Sequence, residues 1–480
     1  MPKIAMIGAG SMVFCKTLSM DILATPALKD SELRLMSRTQ PKLDQMEAFL
    51  SRVIRENQLP ATVWSTLDRR KALEGADYVI IMIQVGGLEA FRYDYEIPLD
   101  YGVDQCIGDS LGPGGIFRGL RTIPALVEIV QDMEELCPDA LLLNYANPMA
   151  ACCYALGKIA RNIQFVGLCH GVQTTLDLIS RYVDTPREQI DYLCAGINHM
   201  AWFLSLKKRE NQQDLYPILR RNIEKPEYYA NEKVRCEVMR HFGYFMTEST
   251  GHLSEYLPWF RSSRRALDLY CDEPAFGGES GAYFKYASKL AEKYQEVDYL
   301  ESETAVLGER SVEYCSHILE AKEVDKPFGF NGNVRNDQLI TNLTDSCCVE
   351  VPVLVDRQGL HPQRIGQLPA QLAALNQSNV TVQTLTVEAA LTGDPEHIVH
   401  AVALDPLTSA CCTLSEIRDM TVQMLEKQKH WLPQFSDRQL LSTPAIEIPQ
   451  GISRVEVPLD PALAIANRFA ELAERQISKE

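Results

Sequence analysis

The order of the first 170 residues constrains this chain most: short apolar runs alternate with stretches of helical period. Residues 4–7, 33–36, 78–83, 140–143 and 165–168 read as strands. Between them Leu43, Met46, Leu50, Val53 and Ile54 recur at helical spacing, as do Ile123, Leu126, Val127 and Val130. Strands that are apolar throughout need cover on both faces, and helices between consecutive strands supply it. The predicted fold class is therefore α/β, with an N-terminal Rossmann-like, doubly wound parallel sheet. Near residue 190 the pattern changes. Residues 195–206 read as one strand with a charged return over 207–214, followed by helical stretches at 264–272 and 281–294 and a closing helix at 461–478. This predicts two domains, a Rossmann-like one over 1–190 and a mixed α+β one over 191–480.

Gly8-Ala9-Gly10-Ser11-Met12 lies between the first strand and the first helix. Two glycines allow a tight turn and a close approach of backbone to a pyrophosphate, which the helix N-terminus then faces. Val13 stands where a third glycine is usual, and a ligand-free strand–helix turn is the alternative. The second strand ends Met36-Ser37-Arg38, without the acidic residue that holds the ribose of NAD. Arg38 can instead meet a 2′-phosphate, so NAD is expected first and NADP stays open.

Open parallel sheets bind ligands beyond the carboxyl ends of their strands. Polar residues and glycines gather at those ends: Gln84, Gly86 and Gly87, then Asn144 and Asn147, then Cys169-His170-Gly171. Cys169 and His199 are candidate metal ligands, a thiolate and an imidazole. Their separation matches no spacing motif, and a structural cysteine with a core histidine is the competing reading. A lactate- or malate-type dehydrogenase would share these features.

The formal net charge of -17 repels phosphate backbones and argues against nucleic acid as a partner. No run approaches the ~18 apolar residues of a membrane span, and the N-terminal run is too short for a secretory signal. The 14 cysteines follow no disulfide spacing and read as reduced thiols, with the cytoplasm as the expected address.

Longer runs carry a resemblance: IGAGS at 7–11, DSLGPGGIFRGLRTIP at 109–124, LNYANPMA at 143–150, VGLCHGVQ at 166–173, CAGINHMAWFL at 194–204 and TESTGHLSEYLPWF at 247–260. GNVRNDQLITNL at 332–343, CCVEVPVLVD at 347–356 and LAALNQSNVTVQTL at 372–385 extend it over nearly the whole chain. The sequence resembles the NAD- and manganese-dependent family 4 glycoside hydrolases, most closely the bacterial melibiase-type α-galactosidases. The resemblance implies that Cys169 and His199 hold a divalent metal, Mn²⁺ by the family's habit. It implies that Gly8 and Gly10, with Ser11, Met12, Ser37, Arg38, Gln84 and Gly86 around them, hold the dinucleotide, and that Asn147 contacts the sugar. Arg335, read as part of a polar loop, is a further candidate for substrate. Such an enzyme departs from the usual carboxylate pair. Hydride leaves C3 of the sugar, the C2 proton becomes acidic, the glycosidic bond breaks by elimination, and water and hydride then return.

A tyrosine serves as C2 base in this family. Tyr256 is the first candidate here and His252 the second, with Asp109 and His170 as candidates for protonating the leaving group. One departure bears on the sugar: melibiase-type members read Cys-His-Ser-Val, where this chain has Gly171. An α-glucuronidase, α-galacturonidase or α-glucosidase of the same family therefore stays open beside the α-galactosidase. So do a sugar or hydroxy-acid dehydrogenase and a non-catalytic sensor. A small sugar is the expected partner, and a homodimer or homotetramer the expected assembly.

Overall fold

Alternate residues of the first strand face opposite cores, which is what a sheet covered on both sides requires. Ile4 and Met6 enter one buried cluster with Leu33, Leu35, Ile80 and Leu143. Ala5 and Ile7 enter another with Val79, Ile81 and Leu142. The computed structural model describes residues 1–271, 273–274, 277–294, 299–444 and 446–477.

The parallel half of the sheet comprises β1 (Lys3–Ile7), β2 (Glu32–Met36), β3 (Thr62–Thr66), β4 (Tyr78–Ile81), β5 (Leu141–Asn144) and β6 (Phe165–Gly167), in the order β3-β2-β1-β4-β5-β6. Five of these are the expected apolar runs. The sixth, β3, is an edge strand of sequence TVWST with no fully buried residue, so it lacks the apolar run that marks the others.

The same sheet continues through an antiparallel half: β7 (Ile190–Ile197), β8 (Met200–Lys208), β9 (Phe328–Arg335), β10 (Cys348–Asp356) and β11 (Gly359–Pro362). Beyond β6 the order is β9-β10-β7-β8, with β11 paired to β10. Residues 195–206, expected as one strand, instead form a hairpin. The chain reverses at Asn198 and His199, and Ile197 faces Met200. His199 makes the turn with φ 63°. No glycine marks it, and the flanking residues are apolar on both sides, so the run looks continuous in the sequence. The residues read as a polar loop around Arg335 are the end of β9. Its Asn331 and Asn333 are buried, and their amides donate to the carbonyls of Cys194 (2.9 Å) and Gly167 (3.4 Å).

One row of residues crosses the junction of the two halves. Gly167 of β6 pairs with Asn333 of β9, Asn333 with Glu350 of β10, and Glu350 with Gly196 of β7. The helix Ala370–Thr392 fixes the hairpin from one side: Trp202 Nε1 donates to Asn376 Oδ1 (3.0 Å), and Asn376 Nδ2 donates to the Met200 carbonyl (2.8 Å). Residues 1–442 form one compact unit. Residues 443–480 form a second, which holds the helix Pro461–Ile477 with Leu463, Ile465 and Phe469 exposed. Among the described residues no helix is long and apolar enough to cross a membrane.

Candidate metal centre and active site

Cys169, two residues past β6, lies beside His199 at the β7–β8 turn, although thirty residues separate them. Glu248 joins them. Its Oε1 lies 3.7 Å from Cys169 Sγ and 3.8 Å from His199 Nε2, and the three donor atoms lie within 4.8 Å of one another. One divalent ion can meet donors so placed at ordinary metal–ligand lengths of about 2.0–2.4 Å, so the residues present fit the metal that the sequence implies. Burial pushes the Cys169 thiol well above its usual pKa, and Glu248 and Glu350 add to this. A cation bound there would reverse that balance. Burial holds the His199 imidazole down at about 4, and therefore neutral, the form that ligates metals. His252 packs with its ring centroid 4.5 Å from that of His199, and its Nδ1 lies 3.4 Å from Glu248 Oε2.

Tyr256 ends the short helix Thr250–Tyr256, and its hydroxyl lies 2.9 Å from His199 Nδ1. The other nitrogen of His199 faces Glu248. Asp109 is 2% exposed. Asn147 Nδ2 (3.0 Å) and Ser110 Oγ (2.7 Å) donate to it, and Arg118 Nη1 is 3.5 Å away. Burial alone would raise the Asp109 carboxyl, but the Arg118 guanidinium, His252, His199 and the Ser110 hydroxyl together outweigh it and hold the group below the usual carboxylate value. His170 follows Cys169 in the chain, with its side chain 51% exposed and its Nδ1 3.4 Å from Glu313 Oε1. The hydrogen bond it donates to the Glu313 carboxylate raises its pKa above the usual histidine value.

A small cleft opens beside Tyr256, lined by Ser110, Leu111, Asn198, Asn379 and Gln383 among others. Asn198 Nδ2, Asn379 Oδ1 and Gln383 Oε1 are buried there without a hydrogen-bond partner.

The glycine turn lies at the adjoining strand ends. Gly8 has φ 97°, and a Cβ on it would meet the Met82 carbonyl oxygen at 2.7 Å. Its N–H and that of Ala9 both donate to the Met36 carbonyl (2.9 Å each). A Cβ on Gly10 would come within 2.9 Å of Ser37 Oγ, so Gly10 and Ser37 border the same space. Ser11 N–H closes the turn onto the Gly8 carbonyl (3.0 Å). Arg38 and Gln84 are exposed nearby, and Gly86, at φ 87°, starts the helix Gly87–Asp100. The Met12 side chain turns into the core and leaves only its backbone for a ligand.

Arg335 is not brought to this site. In β9, antiparallel to β6, it lies beyond Asn333 toward the amino end of β6. There its Nη1 donates to the Gly157 carbonyl (3.1 Å), and its Nε pairs with Asp337 (3.0 Å). Sequence reasoning passed over Glu248, Arg118 and Glu350. Glu248 sits in the quoted TESTGHLSEYLPWF run. Glu350 is a lone acid in the apolar run CCVEVPVLVD, and a charge in a buried strand signals a special environment.

The profile for family 4 glycosyl hydrolases matches residues 3–185, and that for the family's C-terminal domain matches residues 194–408. An α-galactosidase of Rhizobium meliloti is 40% identical over 90% of this chain and 90% of its own length. One from Bacillus subtilis is 41% identical over 91% of this chain and 100% of its own. A 6-phospho-β-glucosidase of Thermotoga maritima, solved with manganese, NAD⁺ and glucose-6-phosphate, aligns with a TM-score of 0.71 over 89% of this chain and 98% of that one. At 20% identity that likeness is one of fold. By the two profiles and by the identity to these relatives, the chain belongs to family 4 of the glycosyl hydrolases.

Proposed function

We propose that this chain is a cytoplasmic α-galactosidase that uses NAD and a divalent metal such as Mn²⁺. The observation that carries the reading is the meeting of Cys169, His199 and Glu248 within 4.8 Å, with the Tyr256 hydroxyl on the remaining nitrogen of His199. A carboxylate-pair mechanism has no use for that arrangement. The galactose preference rests on the two α-galactosidase relatives at 40% and 41% identity. The 14 cysteines suit a reducing compartment.

Cys169 and His199 would hold the ion, and the Gly8–Gly10 turn the dinucleotide. When bound, these groups supply a Lewis acid and a hydride acceptor. The protein's own residues do the rest. With the Nε2 lone pair of His199 committed to a ligand, Nδ1 must carry the proton and donate to Tyr256 Oη, which favours the phenolate. Tyr256 then takes the C2 proton of the sugar. Asp109, held ionised by Arg118 and the groups around it, has no proton to give and is better suited to orient Asn147 and the sugar hydroxyls. His170, half-exposed and paired with Glu313, is the better placed of the two candidates to protonate the leaving oxygen. The unpartnered amide atoms of Asn198, Asn379 and Gln383 suit sugar hydroxyls.

The test is hydrolysis of a panel of nitrophenyl glycosides with NAD⁺ and Mn²⁺ under reducing conditions, run in D₂O. The α-galactoside should be cleaved fastest, and the released galactose should carry deuterium at C2. A fully converted product without C2 deuterium would refute the redox–elimination route. Net accumulation of reduced cofactor would point to a dehydrogenase instead.

A further inference from the structure

Gly171 opens the helix Gly171–Tyr182, and its backbone does not ask for a glycine, since its φ lies outside the left-handed region. Space asks for one. An ideal Cβ at residue 171 would stand 2.0 Å from Glu248 Oε1 and 3.1 Å from Glu248 Cδ, and the next neighbour, Cys169 Sγ, is 3.8 Å away. Glu248 shows the converse: it has a Cβ yet holds φ 72°, a conformation that disfavours any residue but glycine. A glycine with no backbone reason thus faces a glutamate with a backbone penalty. Together they fix the position of Oε1, beside Cys169 Sγ and His199 Nε2. The ion-pair partners of Glu248 among the described residues are His199 and His252, with no lysine or arginine, so this largely buried carboxylate has no fixed cation. A buried anion of that kind is tolerable when a cation can join it.

We propose that Gly171 is a positioning residue of the metal centre: its missing side chain admits the Glu248 carboxylate as a third protein donor beside Cys169 and His199. The proposal rests on the reading that Cys169 and His199 hold the ion. A serine at this place, as in the melibiase-type runs, would push the carboxylate aside. The consequence is one of charge. A thiolate, a neutral imidazole and a carboxylate cancel a divalent ion, whereas the thiolate–imidazole pair leaves one positive charge. With Gly171 the ion should be held more tightly and polarise its substrate less.

The test is titration of the substrate-free protein with Mn²⁺ alone, with free Mn²⁺ followed by electron paramagnetic resonance. Alanine suits a first helical turn better than glycine, so Gly171→Ala should fold, and its thermal midpoint checks this. Gly171→Ala and Glu248→Gln should each weaken Mn²⁺ binding about tenfold or more, the scale on which ligand-orienting residues act. The double variant should bind no more weakly than Glu248→Gln alone, because both changes remove one interaction. Wild-type affinity in Gly171→Ala, or a loss that adds fully to that of Glu248→Gln, overturns the proposal, provided Cys169→Ser has lost affinity. Wild-type affinity in Cys169→Ser as well overturns the metal-centre reading together with the proposal.

Discussion

Tyr256 is 3% exposed, and burial pushes its phenol pKa well above the ordinary value, with the charges of Asp109, Glu255 and Glu248 acting in the same direction. Such a phenol makes a poor base unless something favours its anion, and His199 Nδ1 at 2.9 Å is the group placed to do so. Tyr256→Phe keeps the ring and removes the oxygen. C2 exchange with solvent and hydrolysis should then fall together, by about 10²–10⁴-fold if proton transfer is what the residue provides, with Mn²⁺ affinity near wild type. Measuring deuterium wash-in and glycoside cleavage on one sample decides it. If hydrolysis falls and wash-in does not, the base is elsewhere, and His252, 4.5 Å from His199 by ring centroids, is next to test. At this scale the distinctive runs single out Cys169, His199 and Tyr256 as candidates, and the structure brings the three together. Glu248 stands in the same run as Tyr256, but its nearness to the space left at Gly171, seventy-odd positions away, is a pairing that no local pattern records.

The helix Gly112–Leu136 begins GPGG for a packing reason. A Cβ on Gly115 would stand 2.4 Å from the Ser110 carbonyl carbon and 3.0 Å from its nitrogen, both backbone atoms that cannot rotate away. The helix therefore lies directly against the segment that presents Asp109. Glu255 holds the same segment from the other side by accepting the N–H groups of Ile107 and Gly108 (the latter at 3.0 Å). Gly115→Ala should displace Ser110 and Asp109, cut turnover at least tenfold and destabilise by about 1–3 kcal/mol, the range for forced overpacking. Gly308→Ala, with nothing within 4 Å of the added carbon, should do neither. Equal activity in the two variants would show that the segment can shift without consequence. Element legibility followed the same physics. Strands β1, β2, β4, β5 and β6, buried on both faces, leave apolar runs that the eye can find. The edge strand β3, the asparagine- and glycine-rich β9 and the hairpin turn at Asn198–His199 leave no such trace, because tertiary partners, not local pattern, define them.

Across the whole molecule the site depends on joining two halves of one sheet, and the C-terminal helices lock that arrangement from a distance of hundreds of residues. Asp405 is one such lock. Fully buried, it accepts the Gly112 N–H at 3.2 Å through one oxygen, and the Thr408 N–H (2.8 Å) and hydroxyl (2.7 Å) through the other. It thereby ties the start of the long helix Gly112–Leu136 to the helix Pro406–Cys411. Burial pushes its carboxyl up from 3.8 to about 6, against the pull of those hydrogen bonds. The raised value sets the sign of a pH effect. Below 3.8 the folded and unfolded chains both carry the proton, and the contribution of Asp405 is fully present. Between 3.8 and about 6 only the folded chain retains the proton, so stability is lost as pH rises through that window and then levels off. A shift of this size corresponds to at most about 3 kcal/mol. Asp405→Asn cannot titrate. The wild-type advantage in thermal midpoint over this variant should therefore be largest near pH 4 and shrink steadily toward pH 6.5. Other buried acids, such as Glu255 with its carboxyl pushed up to about 7, titrate in both proteins and cancel in the difference. If the two midpoints keep a constant separation across that range, the Asp405 carboxyl titrates alike in the folded and unfolded chains, and the link between the long helix and the C-terminal layer carries no pH dependence.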